Sequence, residues 1–183
     1  MIMDNSLIGI MGSARSGKDT AYMAIKELFP SKEVERRAFA DELKKECDPF
    51  LKENLNISAF TENAKEKEVI RPFLVTYGTH LRRKLNPSCW IDSLEQTLSL
   101  DVNKCICITD TRFENEARWI KSKGGKLIFI DRMGIKPANI EEEQNNPVLM
   151  SLADMVIEMP TFHEDYFARC RSKISKELLK WKT

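Results

Sequence analysis

The chain lacks any apolar run approaching the roughly 18–20 residues of a membrane span; its apolar stretches, such as Leu7-Ile8-Gly9-Ile10-Met11, are short. Its opening, MIMDNSLIGIMGS, is acidic rather than basic and runs straight into a loop, so no signal peptide is expected. It also lacks an excess of charge. Twenty-nine basic residues face 28 acidic ones, which leaves no overall attraction for a nucleic-acid polyanion. Basic groups that matter must then be placed locally, for small anions. Cysteine is sparse: Cys47, Cys89, Cys105, Cys107 and Cys170 are scattered and odd in number, against a disulfide framework. No zinc-like spacing joins them. Cys105 and Cys107 alternate with Ile106 and Ile108, as small apolar residues of a buried strand do. Repeats, low-complexity runs and long linkers are absent too. What remains is a soluble protein of a reducing cytoplasm, expected to bind neither membrane nor nucleic acid.

What is present suits one domain with a sizeable core: 183 residues, 42% apolar and 31% charged. Five apolar runs read as strands, namely Leu7–Met11, Val34–Phe39, Cys105–Thr109, Leu127–Ile130 and Met155–Glu158. Several are nearly continuous, as strands covered on both faces must be. Helical stripes lie between them. Ala21, Ala24, Ile25 and Leu28 form one, stopped by Pro30. Phe73, Leu74, Tyr77, Leu81 and Leu85 form a second; Trp90, Ile91, Leu94 and Leu98 form a third, with Ser88 as its expected cap. Ala117 and Ile120 precede a glycine stop at Gly124-Gly125, and Phe167, Cys170, Ile174, Leu178 and Trp181 make a final helix. Strand–helix alternation predicts a parallel sheet between helical layers, with ligands at the carboxyl ends of the strands. The polar stretches Lys52–Glu68 and Gly134–Pro147 are expected to be the mobile segments.

The densest chemistry is GSARSGKDT, residues 12–20, between the first strand and the first helix. A glycine-rich loop opening a helix cradles nucleotide phosphates with backbone N–H groups, and Lys18 adds a point charge for the β and γ phosphates. The usual Ser or Thr after the lysine is displaced by Asp19, with Thr20 following. Asp19 can reach Mg²⁺ directly or through water, or can only favour the helix start, with Thr20 the other candidate ligand. A second block, CICITDTRFENEARWIKSKGG, ends a strand at Thr109-Asp110, where an acid can hold Mg²⁺ or its water. Arg112 emerges beside it for a phosphate, and Glu116 is placed to orient Arg112; the alternative is a simple Asp110–Arg112 pair. In RPFLVTYGTHLRRKLNPSCWI, helical spacing puts Arg71, Gly78 and Arg82 near one face, able to grip an acceptor phosphate. Trp90 either stacks on a base or belongs to the core, and His80 reads as a solvated helix residue. AFADELKKE brings Asp41 and Lys44 to a strand end, as ligands or as a solvated helix start.

Together, GSARSGKDT, AFADELK, R-x-x-L-x-x-Y-G-T-x-x-x-R with P-x-x-W-I, and ITDTRFENEA-x-x-I-K-x-x-GG with a later IDR resemble phage-type deoxynucleoside monophosphate kinases. The similar blocks run in order from about residue 6 to 132. The resemblance implies a single P-loop kinase domain over 1–183, a five-stranded parallel sheet of order 2-3-1-4-5, an acceptor-binding insertion at about 41–100 and a short lid at about 132–147. It implies phosphoryl transfer from ATP, with Mg²⁺, to a (deoxy)nucleoside monophosphate, in deoxynucleotide metabolism and in the host cytoplasm if the source is viral. By motif position it puts Gly12, Ala14, Arg15, Ser16, Gly17, Lys18, Asp19, Thr20 and Arg132 on ATP. Asp41, Lys44, Arg71, Gly78, Arg82, Trp90, Arg112 and Glu116 fall to the acceptor, and Asp19, Thr20 and Asp110 to the metal. Lys18, Arg82 and Arg112 are then the catalytic residues, in a monomer or homodimer. After Arg132, NIEEEQNNP and DMVIEMP stand where such kinases carry a His/Ser-Glu segment and a late Asn-Asp. Competing readings are a kinase of another small acceptor (phosphomevalonate-like, dephospho-coenzyme A-like or a nucleoside) and a nucleotide-binding regulatory protein without turnover.

Overall fold

A computed structural model describes residues 6–29, 33–99, 104–161 and 165–180. The chain divides into two compact units, Met1–Arg37 with Ser99–Thr183, and Ala38–Leu98.

The first unit holds five strands: β1 Ser6–Met11, β2 Glu33–Arg37, β3 Lys104–Ile108, β4 Lys126–Arg132 and β5 Met155–Met159. They form one parallel sheet in the order β2-β3-β1-β4-β5, the order expected from the resemblance. β1 lies in the middle, pairing Ile8 with Cys107 on one side and Ile10 with Ile128 on the other. Its neighbours read KCICI and KLIFIDR, and burial on both faces explains why these runs are nearly unbroken in apolar character. Among the described residues of this unit, α1 Lys18–Leu28, α6 Glu114–Ser122 and α7 Ile140–Leu152 lie between strands, and α8 Tyr166–Lys180 follows β5. Ala21, Ala24 and Ile25 of α1 and Ile174 of α8 enter a core with Ile8, Ile10, Cys105, Cys107, Ile128 and Ile157. Each large side chain buried there contributes roughly 1.5–3 kcal/mol. Pro30 and Trp181 lie outside the described residues, as do the side chains of Cys170 and Leu178.

Every strand's bounds shift by one or two residues from the sequence reading, and at β2 the shift changes the element. β2 stops at Arg37, and Phe39 opens a helix instead of closing the strand. Ala38 is the extended residue before that helix, and Phe39 is buried in its first turn. The unbroken apolar run at Ala38-Phe39-Ala40 therefore spans a strand-to-helix junction.

The second unit is helical: α2 Phe39–Leu55, α3 Ala64–Val75, a π-helical stretch Thr76–Arg82, α4 Arg83–Leu85 and α5 Cys89–Thr97. Cys47, Leu51, Ala59 and Ile70 form its core, with Leu43, Phe73, Leu74 and Tyr77 packed around them. The stripe read from Phe73 to Leu85 does not run through. Leu81 and Leu85 are exposed because the wider i→i+5 turns from Thr76 rotate later residues off the α-helical face. Ser88 stands at the N-cap of α5 but its hydroxyl makes no cap bond. The polar stretch 52–68 contains a helix end and a helix start, joined by Asp48, which accepts from Ser58 Oγ and the Ala59 N–H, and by Asn63, which caps α3. Among the described residues no helix is long and apolar enough to cross a membrane.

The cysteines at 47, 89, 105 and 107 are free and buried. Burial pushes the Cys47 thiol up to about 11 and raises Cys89; the hydrogen bond with Cys105, then burial, raises Cys107. Since the thiolate is the nucleophile, these four should react with iodoacetamide at about pH 8.5 at least tenfold more slowly in the native protein than in urea. Peptide mass spectrometry reads the difference, and equal rates contradict the burial described.

Candidate active site

β1 ends at Met11, and the chain turns through residues 12–17 into α1. Gly12 has φ 129°, and a Cβ there would meet the Ile130 carbonyl oxygen at 2.5 Å, so the loop can lie against β4 only with glycine. Arg15 is also left-handed, at φ 63°, a conformation uncommon for residues with side chains. Gly17 is the N-cap of α1 and supplies no side-chain cap. The first N–H groups of α1 thus face outward for an anion, at the positive end of the helix dipole.

Lys18 folds back over this loop, donating from Nζ to the carbonyls of Gly12 at 2.8 Å and Ser13 at 2.7 Å. Burial, then the nearby Arg112 charge, lowers its pKa to about 8, against the opposing pull of Glu142, Asp19 and Asp110. Burial therefore disfavours the ammonium, and a phosphate beside it would favour the charged form. The same influences place Asp19, Asp110 and Arg112 within electrostatic reach of Lys18.

β3 delivers the next group. The Thr109 N–H donates to the Arg37 carbonyl at 3.1 Å, and Asp110 and Arg112 follow at the strand's carboxyl end. Glu116, buried at 2% exposure, accepts the backbone N–H groups of Arg112 at 2.8 Å and Phe113 at 3.1 Å. It fixes the main chain from which Arg112 extends, rather than the guanidinium. At the end of β4, Arg132 is 4% exposed and donates from Nη1 to the Arg15 carbonyl at 3.3 Å. It braces the loop from within, where the sequence reading had it closing over the nucleotide as a lid residue.

Sequence reasoning missed the two side chains of α7 that meet the loop. Glu142 accepts the Ala14 N–H on both oxygens, at 3.2 and 3.1 Å, and lies 3.9 Å from Arg112 Nη1. Asn146, one turn later, donates to Ser13 Oγ at 2.9 Å. A signal was available: Asn139 and Glu142 have the spacing of a capping box, and Asn139 does accept the Glu142 N–H at 2.8 Å. Beside the loop lies a cavity of about 360 Å³, lined among others by Ser13, Ser16, Arg132, Asn146 and Met150.

These donors fit a phosphate: the Ala14 N–H, which already holds a carboxylate, and the buried ammonium of Lys18. Among the described residues no cluster of three or more His, Cys, Asp or Glu forms a metal cage. A Mg²⁺ carried by phosphates and water would need only one or two protein oxygens. Asp19, Thr20 and Asp110 are the candidates here.

The remaining predicted residues lie in the second unit. Arg82 pairs with Glu46, Nε to Oε1 at 3.0 Å, and its guanidinium carbon stands 5.6 Å from the centre of the Trp90 ring. Trp90 is 4% exposed and donates from Nε1 to the Gly78 carbonyl at 3.3 Å, so it is core and not open to a stacking base. Gly78 is buried too. A Cβ there would lie 2.6 Å from Leu43 Cδ2, so its missing side chain admits Leu43 rather than a phosphate. Arg71 is exposed and does not share a face with Gly78, because the π-helical stretch intervenes. Asp41 lies in the first turn of α2, Lys44 stands 5.5 Å from the centre of the Phe60 ring, and His80 is exposed.

No protein-family model matches the chain. It is 33% identical over 155 residues to a protein of Acanthamoeba polyphaga mimivirus named "Putative deoxynucleotide monophosphate kinase", spanning 70% of this chain and 75% of that one. Among solved structures, it is 15% identical to a dephospho-CoA kinase from Campylobacter jejuni, with a TM-score of 0.47 over 97% of this chain and 98% of that one. It is also 15% identical to a shikimate kinase from Aquifex aeolicus, with a TM-score of 0.48 over 95% and 94%. The strand order above describes the fold without them.

Glu116→Ala leaves two N–H groups at a buried helix start without their acceptor, which costs about 1–3 kcal/mol. A urea titration of the variant should show that loss, and an unchanged midpoint would mean that water replaces the carboxylate freely.

Proposed function

The chain belongs to the deoxynucleotide monophosphate kinases, ATP-dependent phosphotransferases acting on a nucleotide, and from that premise we propose its acceptor class and the residues that carry the reaction. The acceptor is a deoxynucleoside monophosphate, and the product its diphosphate. What supports the phosphotransfer most is the loop at residues 12–17: its Ala14 N–H already holds a carboxylate, and the buried Lys18 ammonium folds over it.

Phosphoryl transfer asks for positioning and charge neutralisation more than for covalent help. The N–H groups of the loop and of the first turn of α1 hold the β and γ phosphates, together with Lys18. Mg²⁺ supplies charge neutralisation when bound, with Asp19 or Thr20 and Asp110 as its protein oxygens. Arg112, held at its backbone by Glu116, offsets charge on the transferring group. The second unit receives the acceptor: Arg82, steadied by Glu46 and Trp90, takes its phosphate, with Arg71, Lys44 and Asp41 as further polar contacts. The acceptor phosphate is already ionised at neutral pH, so no side chain has to act as a general base.

An ADP-release assay with ATP and Mg²⁺ tests the acceptor. The panel is dAMP, dGMP, dCMP, dTMP, the ribonucleotides, dephospho-coenzyme A, phosphomevalonate and nucleosides. At least one deoxynucleoside monophosphate should release ADP well above the rate without acceptor; release with a non-nucleotide alone, or with none, overturns the proposal. On the preferred acceptor, Lys18→Ala should cut kcat by on the order of 10²–10³-fold with a urea midpoint close to that of the unaltered protein. Arg82→Ala should raise the acceptor KM about tenfold or more while kcat changes little. An unchanged KM removes Arg82 from the acceptor site.

A further inference from the structure

The loop that is read as the phosphate seat already holds an anion, and that anion belongs to the chain. Glu142, 7% exposed, presents both carboxylate oxygens to the Ala14 N–H, from a helix more than a hundred residues further along. Lys18 feels its charge, and Arg112 Nη1 lies 3.9 Å away. We propose that Glu142 is a built-in stand-in for a nucleotide phosphate, holding the loop's N–H seat until the incoming phosphates displace it and release α7 from the loop. This deepens the kinase reading above and rests on it.

Three observations carry it. First, occupancy is exclusive. A carboxylate at hydrogen-bond distance from the loop cannot remain beside a polyphosphate without close like-charge repulsion in a partly desolvated site. Second, the contact exceeds what local capping needs. Glu142 does serve its own helix, since Oε2 also accepts the Ala138 N–H at 3.0 Å. That bond and the Asn139 cap account for the helix start; neither calls for Ala14 or Arg112. Third, α7 is lightly anchored. Of its 13 residues, Leu149 is the one buried apolar side chain among the described residues, and Glu142 and Asn146 supply its polar ties to the loop. Exchanging those ties for phosphate contacts frees the helix at little cost in apolar burial. Glu142 then sets donor affinity: binding is weakened by the work of expelling it, and Arg112 loses its carboxylate neighbour in the same step.

The test compares the unaltered protein with Glu142→Gln and Glu142→Asp by titration calorimetry, using inorganic pyrophosphate and, separately, ATP with Mg²⁺. Gln keeps the shape and the local capping but removes the charge, so it should bind both probes at least tenfold tighter. Asp keeps the charge one methylene further from Ala14, so its affinity should fall between the two. Hydrogen exchange of residues 138–146 in the unaltered protein should accelerate when pyrophosphate binds. Unchanged or weaker binding by Glu142→Gln overturns the inference, as does unchanged or slower exchange at 138–146. If Glu142→Gln does not fold, judged by its melting curve, Glu142→Asp carries the comparison, and affinity equal to the unaltered protein overturns it. The kinase reading can fail separately: tighter pyrophosphate binding without any ATP binding supports the stand-in and sinks the kinase. Normal turnover with equal affinities does the reverse.

Discussion

The backbone N–H of Ala14, in a strand-to-helix turn, needs an acceptor, and the contacts around the loop are arranged about that need. β1 is central in the sheet, so the loop leaving it is flanked by the ends of β3 and β4. Gly12 lets the loop lie against β4, Arg132 ties it to Arg15, and Lys18 closes over its carbonyls. Each of these contacts shapes a concavity of donors. None supplies the negative charge that the donors and the lysine call for. In the protein alone that charge comes from Glu142 of α7.

The features that could be read from the amino-acid order are those set by neighbours along the chain. Strands such as KCICI are apolar throughout because both faces are covered, and the glycine, lysine and acid of the loop are spaced by the geometry of one turn. The Asp110-Thr111-Arg112 segment follows a strand directly, so its place at the rim comes with the strand. Glu142 was not readable in the same way. Its partner Ala14 is 128 positions away, and a run of three glutamates before a helix looks like ordinary favourable charge at an N-terminus. Only the capping-box spacing marked it out, and that spacing explains the helix start without the loop.

In the second unit the obstacle was periodicity. A stripe counted at three and four residues assumes α-helical turns, and Thr76–Arg82 does not have them. Seven residues of wider turn move Gly78 into the unit's interior, against Leu43, and leave Leu81 at the surface. Trp90 belongs to the same interior: its indole donates to the Gly78 carbonyl within the π-helical stretch. The residue that gains is Arg82, held between the carboxylate of Glu46 and the face of Trp90. Its fixed position comes from partners on two other elements, α2 and α5, and no local pattern announces them.

The order of the strands also bears on how the molecule comes to be folded. β2 and β3 are partners in the sheet, yet everything from residue 38 to residue 103 lies between them in the chain. Joining them directly from an open chain means closing a long loop, and the entropy of that closure is lost before any ladder bond forms. If the helices of the second unit collapse first around Cys47, Leu51 and Ile70, they draw in the chain between the two strands and shorten the effective loop. The helical segment that holds Arg71 and Arg82 is therefore also a kinetic gate on the sheet, and a slow step in its compaction would delay the edge strand without touching the other four.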